Sequence, residues 1–208
     1  MTPDDVTRLF TRSDGSYAFA RWNRPLAPVV FGVEDRTLGA VKGAYEAVAR
    51  LAGLDLAQTD PELGANLMTF FFRDWDELRH VPDLDRLIPD LADTVARLES
   101  AGAARYRMFR FDPDGAIRAA FLFVRMDAAS ARLAARDLAL AEAVQAALLW
   151  SERAFADRSP LAALPDGSCI LRPEIAQVIR AAYDPVMPVA ATDPGHALRL
   201  AARLEPPA

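Results

Sequence analysis

One carboxylate in this chain stands where a hydrolytic metal site keeps its general base. Glu142 lies in Ala141-Glu-Ala-Val-Gln145, which differs from H-E-x-x-H at both outer positions. In that motif two histidines four residues apart lie one turn apart on one helical face. They grip zinc while the glutamate activates the bound water. Here Ala141 offers no ligand atom, and the carbonyl of Gln145 is a poor zinc ligand. A bound zinc lowers the pKa of water to about 7, and a carboxylate alone gains little hydrolytic power. Glu142 is therefore the single catalytic candidate, with no metal ligands and no cofactor expected. The plainer role for it is that of a solvated or ion-paired helix residue.

The other reactive side chains are few. His80 lies in a charged turn and His196 in a late helix, and no spacing joins them into a metal site. Both suit surface or packing roles. Cys169 is the only cysteine, which excludes an internal disulfide and reads as an inert thiol. Partners for a hydrolytic Glu142 would have to come from residues such as Asp157, Tyr183 or His196. No G-x-x-x-x-G-K-[ST], G-x-G-x-x-G or G-x-S-x-G occurs. Trp22, Trp75 and Trp150 read as core or rim aromatics.

The stretch carrying Glu142 runs from Asp137 to Trp150 without Gly or Pro. Its Ala and Leu content predicts a long, largely buried helix. Around it the chain alternates between strands and helices. Residues 4–12 read as a helix capped by Thr2 with Pro3 at its first position. Tyr17–Trp22 alternates as a short strand, and Ala27–Val33 is an apolar, β-branched run suited to a buried strand. Leu38, Val41, Tyr45, Val48 and Ala52 form one stripe of a helix over Asp35–Ala52, closed by Gly53. Asn66–Phe72 is a second buried strand, so a parallel crossover is expected. Its Phe70-Phe71-Phe72 puts aromatics on both faces.

A helical turn is expected at Asp74–Leu78, another helix around Leu84–Ile88, and a further one with Pro89 in its first turn that runs to Ser100. Arg105–Phe111 alternates polar with apolar, Asp112-Pro-Asp-Gly115 is a turn, and Ala116–Val124 is an apolar strand. These form a hairpin. Further on, Phe155–Leu161 reads as a loop and Pro165–Ser168 as a turn. Helices are expected over Pro173–Tyr183 and Thr192–Leu204, the last capped by Thr192 or Asp193. Residues 1–208 read as a single α+β domain, with neither repeat nor linker.

Hydrophobic residues make up 52% of the chain and charged residues 25%, a balance that belongs to ordinary globular domains. The net charge of -5, with arginines scattered among acids, argues against a nucleic-acid partner. No window reaches the ~18 apolar residues of a membrane span, and Met1–Asp5 shows no signal-peptide character. A cytoplasmic location is the expectation.

Several short motifs in order resemble a bacterial zincin-like family whose members carry only a domain-of-unknown-function label. They are Arg21-Trp22, the strand near Val29–Val33, Leu51-Ala-Gly-Leu54, and Ala65-Asn-Leu67. The helix with Ala141–Gln145 follows, then Leu148-Leu-Trp-Ser151 with Phe155, Leu171-Arg-Pro-Glu-Ile175, and Ala182-Tyr-Asp-Pro185. The resemblance implies a zincin-like fold: a twisted mixed β-sheet with a backing helix and a motif helix. It does not carry zinc or proteolysis to this chain, because both ligand histidines are missing. Family members also tend to look exported, whereas this sequence opens without a leader pattern.

The leading expectation is thus a non-catalytic zincin-like protein that binds a protein or small ligand. One alternative is a peptidase-like hydrolase built on Glu142. Another is a structural subunit of an assembly, with oligomeric state open.

Overall fold

The computed structural model describes residues 1–204. Its first helix, α1 (Pro3–Phe10), is set by its opening residues: the Thr2 side chain accepts from the Asp5 amide, and Asp5 accepts from the Thr2 amide. This reciprocal box satisfies two of the amides that a helix start leaves bare. Next come β1 (Phe19–Ala20), β2 (Pro28–Phe31), α2 (Asp35–Ala52) and β3 (Leu67–Phe72). A 3₁₀ turn over Trp75–His80 leads to α3 (Leu84–Leu87) and α4 (Leu91–Ser100), and then to β4 (Arg105–Phe111) and β5 (Ile117–Arg125). The helix holding Glu142 is α5 (Ala135–Ala147). It is followed by β6 (Leu161–Ala163), β7 (Cys169–Leu171), α6 (Pro173–Ala182), β8 (Ala190–Ala191) and α7 (Gly195–Ala201).

The architecture is α+β. A mixed four-stranded sheet has the order β2-β3-β5-β4, with β2, β3 and β5 parallel and β4 antiparallel at one edge. The crossover from β2 through α2 to β3 is present, and so is the β4–β5 hairpin. In its turn, Asp112 Oδ1 accepts from the amides of Asp114 and Ala116. The hairpin's second strand also pairs with β3, which adds a second parallel ladder.

Helices cover both faces. On one face α2 and α5 pack on each other and on Leu67, Phe71, Ala120, Leu122 and Val124. On the other, α3, α4 and the 3₁₀ turn cover Phe70, Phe72, Phe121 and Phe123. Phe70, Phe71 and Phe72 are all buried but on alternate faces, as the two-residue period of a strand requires. Across this second face one register row carries four rings, one per strand: Phe31, Phe70, Phe123 and Tyr106. Neighbouring rings stack with centroids 4.7, 5.1 and 6.0 Å apart.

Several boundaries differ from those expected. The Tyr17–Trp22 strand shrinks to β1, because only Phe19 and Ala20 find a ladder partner, in β8. Pro89 lies ahead of α4 rather than in its first turn, since Asp90 takes a left-handed conformation (φ 55°). The last helix is shorter than 192–204: Asp193 accepts from the Gly195 amide at 2.8 Å, and the helix begins there. The turn at Pro165–Ser168 is flanked by a small hairpin, β6–β7. No helix among the described residues is long and apolar enough to cross a membrane.

The largest difference concerns the Glu142 helix, which starts at Ala135 and stops at Ala147 rather than running to Trp150. The last four carbonyls of a helix lack partners within it. Here side chains from four places supply donors. Trp150 Nε1 donates to Val144 O at 2.7 Å, and Arg107 Nη1 to Gln145 O at 3.2 Å. Trp22 Nε1 donates to Ala146 O at 2.8 Å, and Tyr183 Oη to Ala147 O at 2.7 Å. Trp150 can reach Val144 only if the chain turns back. Leu148 is accordingly extended, and bridges to Arg21.

Candidate functional site

The alternation of β4 decides what faces α5. Arg105, Arg107 and Phe109 project to one side, paired in register with Val124, Leu122 and Ala120 of the apolar strand β5. Because β4 is the sheet edge, its arginines lie beside α5 rather than beneath its middle. Glu142 and Gln145, three residues apart on α5, line the same cleft as these arginines. Leu149–Glu152 and Phe155, after the helix, complete one side, and Arg12 from the loop after α1 stands at the rim. The cleft encloses about 430 Å³.

Glu142 is 6% exposed. Arg105 Nε donates to its Oε1 at 2.6 Å. The same guanidinium donates to Ala104 O, Arg125 O and Ser130 Oγ, which fixes its plane. Ser130 is held in turn by Asp127. Burial raises the Glu142 carboxyl above its ordinary range, and Arg105 and Arg107 offset part of that rise. Burial lowers the Arg107 guanidinium, opposed by the nearby charges of Glu142 and Glu152. Hydrogen bonding to Ser13 holds Glu152 below its usual value.

Two groups in the cleft are incompletely engaged. The Oε1 of Gln145 is buried and accepts no hydrogen bond among the described residues. The Arg107 side chain makes a single hydrogen bond among the described residues, through Nη1 to the Gln145 backbone. The arrangement can hold a polar ligand through cationic donors and an amide, against apolar walls from Phe109, Leu149 and Phe155.

The structure places Glu142 in this cleft but does not bring its suggested partners there. Tyr183 is half-buried between α5 and Trp22, where its hydroxyl donates to Ala147 O. His196 packs on Phe19 with its Nδ1 2.8 Å from Tyr17 Oη. Asp157 lines a separate depression between α1 and the start of α6. His80 is exposed beside Asp76. Cys169 is half-buried, with its thiol pushed up by desolvation and by Asp137.

Sequence reasoning missed Arg105, Arg107 and Arg12 as site residues. The Arg-x-Arg of an alternating strand was the available signal, since it puts two cations on one face. What it could not supply was the neighbour of that face.

Comparison with protein-family models, with curated proteins and with solved structures gave no match to the chain.

Proposed function

We propose that this chain is a non-catalytic, zincin-like protein that binds a small molecule in the cleft between α5 and β4. In this reading Glu142 is a buried counter-ion for Arg105 rather than a general base. The observation that carries it is the 2.6 Å bond from Arg105 Nε to Glu142 Oε1, which ties one oxygen of the carboxylate a hydrolase would aim at water into an ion pair. A general base must reach the proton it takes, directly or through one water. The cleft volume supports a small-molecule occupant, since such sites run to about 300–1,000 Å³. The zincin-like part rests on the ordered sequence motifs and on Ala141 and Gln145 standing where ligands would be needed.

The test is a pair of measurements. Amide correlation spectra of the labelled protein, recorded against a set of small-molecule fragments, should show shifts at Phe109, Gln145 and Leu149–Glu152. Ester and peptide substrates should not be turned over. Turnover that disappears in Glu142→Gln would overturn the proposal, as would a fragment set that leaves every cleft resonance in place.

A further inference from the structure

We infer that the occupant of the cleft is an organic oxyanion, with its acidic head group on Arg107 and its apolar body against Phe109, Leu149 and Phe155. This rests on the small-molecule reading above and names the ligand class.

The first observation is a cation without a counter-ion. Arg107 lines the cleft and makes one hydrogen bond, from Nη1 to the Gln145 backbone carbonyl. It forms no ion pair among the described residues. Burial has removed enough water from this guanidinium to lower its pKa. A buried charge is costly unless it is paired. Its Nε and Nη2 donate to no protein atom, yet they are not among the polar atoms sealed away from solvent. These two nitrogens share one edge of the guanidinium, and their parallel N–H groups fit a carboxylate or a phosphoryl group.

The second observation is that the other charged groups nearby are committed. Glu142 is tied to Arg105, and Glu152 accepts from the Ser13 amide. Both act on Arg107 through space, but neither pairs with it. Arg105 is held by Glu142, Ser130 and two backbone carbonyls, so it does not compete for the ligand.

The third is the sign of the whole cleft. Its charged residues are Arg12, Arg105, Arg107, Glu142 and Glu152, three cations against two anions. Arg12 is exposed at the rim and has no ion pair among the described residues either. The cleft is therefore net positive in a chain whose net charge is -5. An oxyanion gains from that imbalance, whereas a cation is opposed by it.

Calorimetric titration of the full chain with four probes tests this: 3-phenylpropionate, phenyl phosphate, the neutral 3-phenylpropionamide and the cationic 2-phenylethylamine. At least one of the two anions should bind about tenfold or more tightly than the amide, the gain of a charge-assisted contact. The amine should bind most weakly. Whichever anion leads identifies the head group as carboxylate or phosphoryl. Arg107→Gln should remove the anion's advantage over the amide, and Arg107→Lys should keep part of it. Arg12→Gln, at an exposed position that leaves the fold intact, should weaken the anion by less than Arg107→Gln does. Equal affinity for the amide and both anions overturns the inference while leaving a small-molecule cleft intact. So does an anion preference that survives Arg107→Gln. Silence from all four probes also overturns it; the broader reading falls only if the fragment spectra are blank as well.

Discussion

Removing the Arg105 guanidinium would strand a carboxylate that is 6% exposed. Breaking a buried ion pair by deleting one partner costs about 3–5 kcal/mol. Arg105→Met should therefore lower the melting temperature by more than about 6 °C at neutral pH. The loss should depend on pH in a defined sense. A carboxyl whose folded pKa lies above its unfolded value favours folding at low pH and opposes it as pH rises through the unfolded pKa. Burial already raises Glu142, and losing Arg105 raises it further. The variant's deficit should thus shrink as the pH falls toward about 4.3 and be smallest there, and adding Glu142→Gln should recover much of it at pH 7. Equal deficits at pH 4 and pH 7 in thermal melts would contradict this account. Glu142 was legible in the sequence because a helical four-residue spacing is local. Its partner was not: Arg105 lies 37 residues away, and one arginine among many gives no sign of which it will meet. Gln145 was read through its poor metal chemistry; that its amide oxygen would be buried and unsatisfied depends on the fold of β4 beside it.

At the level of elements, the end of α5 shows why composition alone misplaced a boundary. Leu148 to Trp150 favour helix as strongly as the residues before them. The helix stops where donors from Arg107 of β4, Tyr183 after α6, Trp22 and Trp150 claim its last carbonyls, and of these only Trp150, six residues beyond Val144, is near in sequence. Trp22→Phe should cost about 1–3 kcal/mol for the orphaned Ala146 carbonyl alone, with further loss from the smaller ring. Chemical denaturation measures it, and a change below 0.5 kcal/mol would argue that Ala146 O finds another donor.

Two glycines make an opposed pair. Gly32 has φ 79°, and an added Cβ would lie 1.9 Å from Phe71 O, inside the β2–β3 corner. Gly43 sits exposed in α2 with nothing near such a Cβ. Gly32→Ala should destabilise by about 2 kcal/mol or more, whereas Gly43→Ala should stabilise by about 0.5–1 kcal/mol. Same-sign shifts in denaturation midpoints would refute the assignment. β4 and α2 were legible from a clear period of their own, β2, β3 and β5 from short apolar runs, and α5 from its Ala and Leu content. β6, β7 and β8 were not, since two- and three-residue strands carry too few residues to show one.

The whole molecule ties its early and late segments together: β1 pairs with β8, α1 packs on α7, and Tyr17 bonds His196. His196 is 4% exposed and its Nε2 has no partner among the described residues. Burial, with Arg199 adding to it, lowers its pKa from 6.5 to about 4. Between those values the unfolded chain binds the proton and the folded chain does not. Folding stability contributed by neutral His196 is therefore complete above about pH 6.5 and drains away as the pH falls toward 4. Its slope is at most ~1.4 kcal/mol per pH unit. His196→Leu should flatten this part of the stability profile; a slope unchanged in the variant would place the acid sensitivity elsewhere.

The β1–β8 pairing also bears on synthesis. Val6, Leu9, Phe10 and Phe19 leave the ribosome well before their cover, which comes from residues near 150 and from 190 onward. At ~5–20 residues per second, these side chains wait roughly 10–40 s as a nascent segment without its partners. For that interval they are a target for chaperones that recognise short apolar stretches, and the emergence of residues from 190 onward is what releases them.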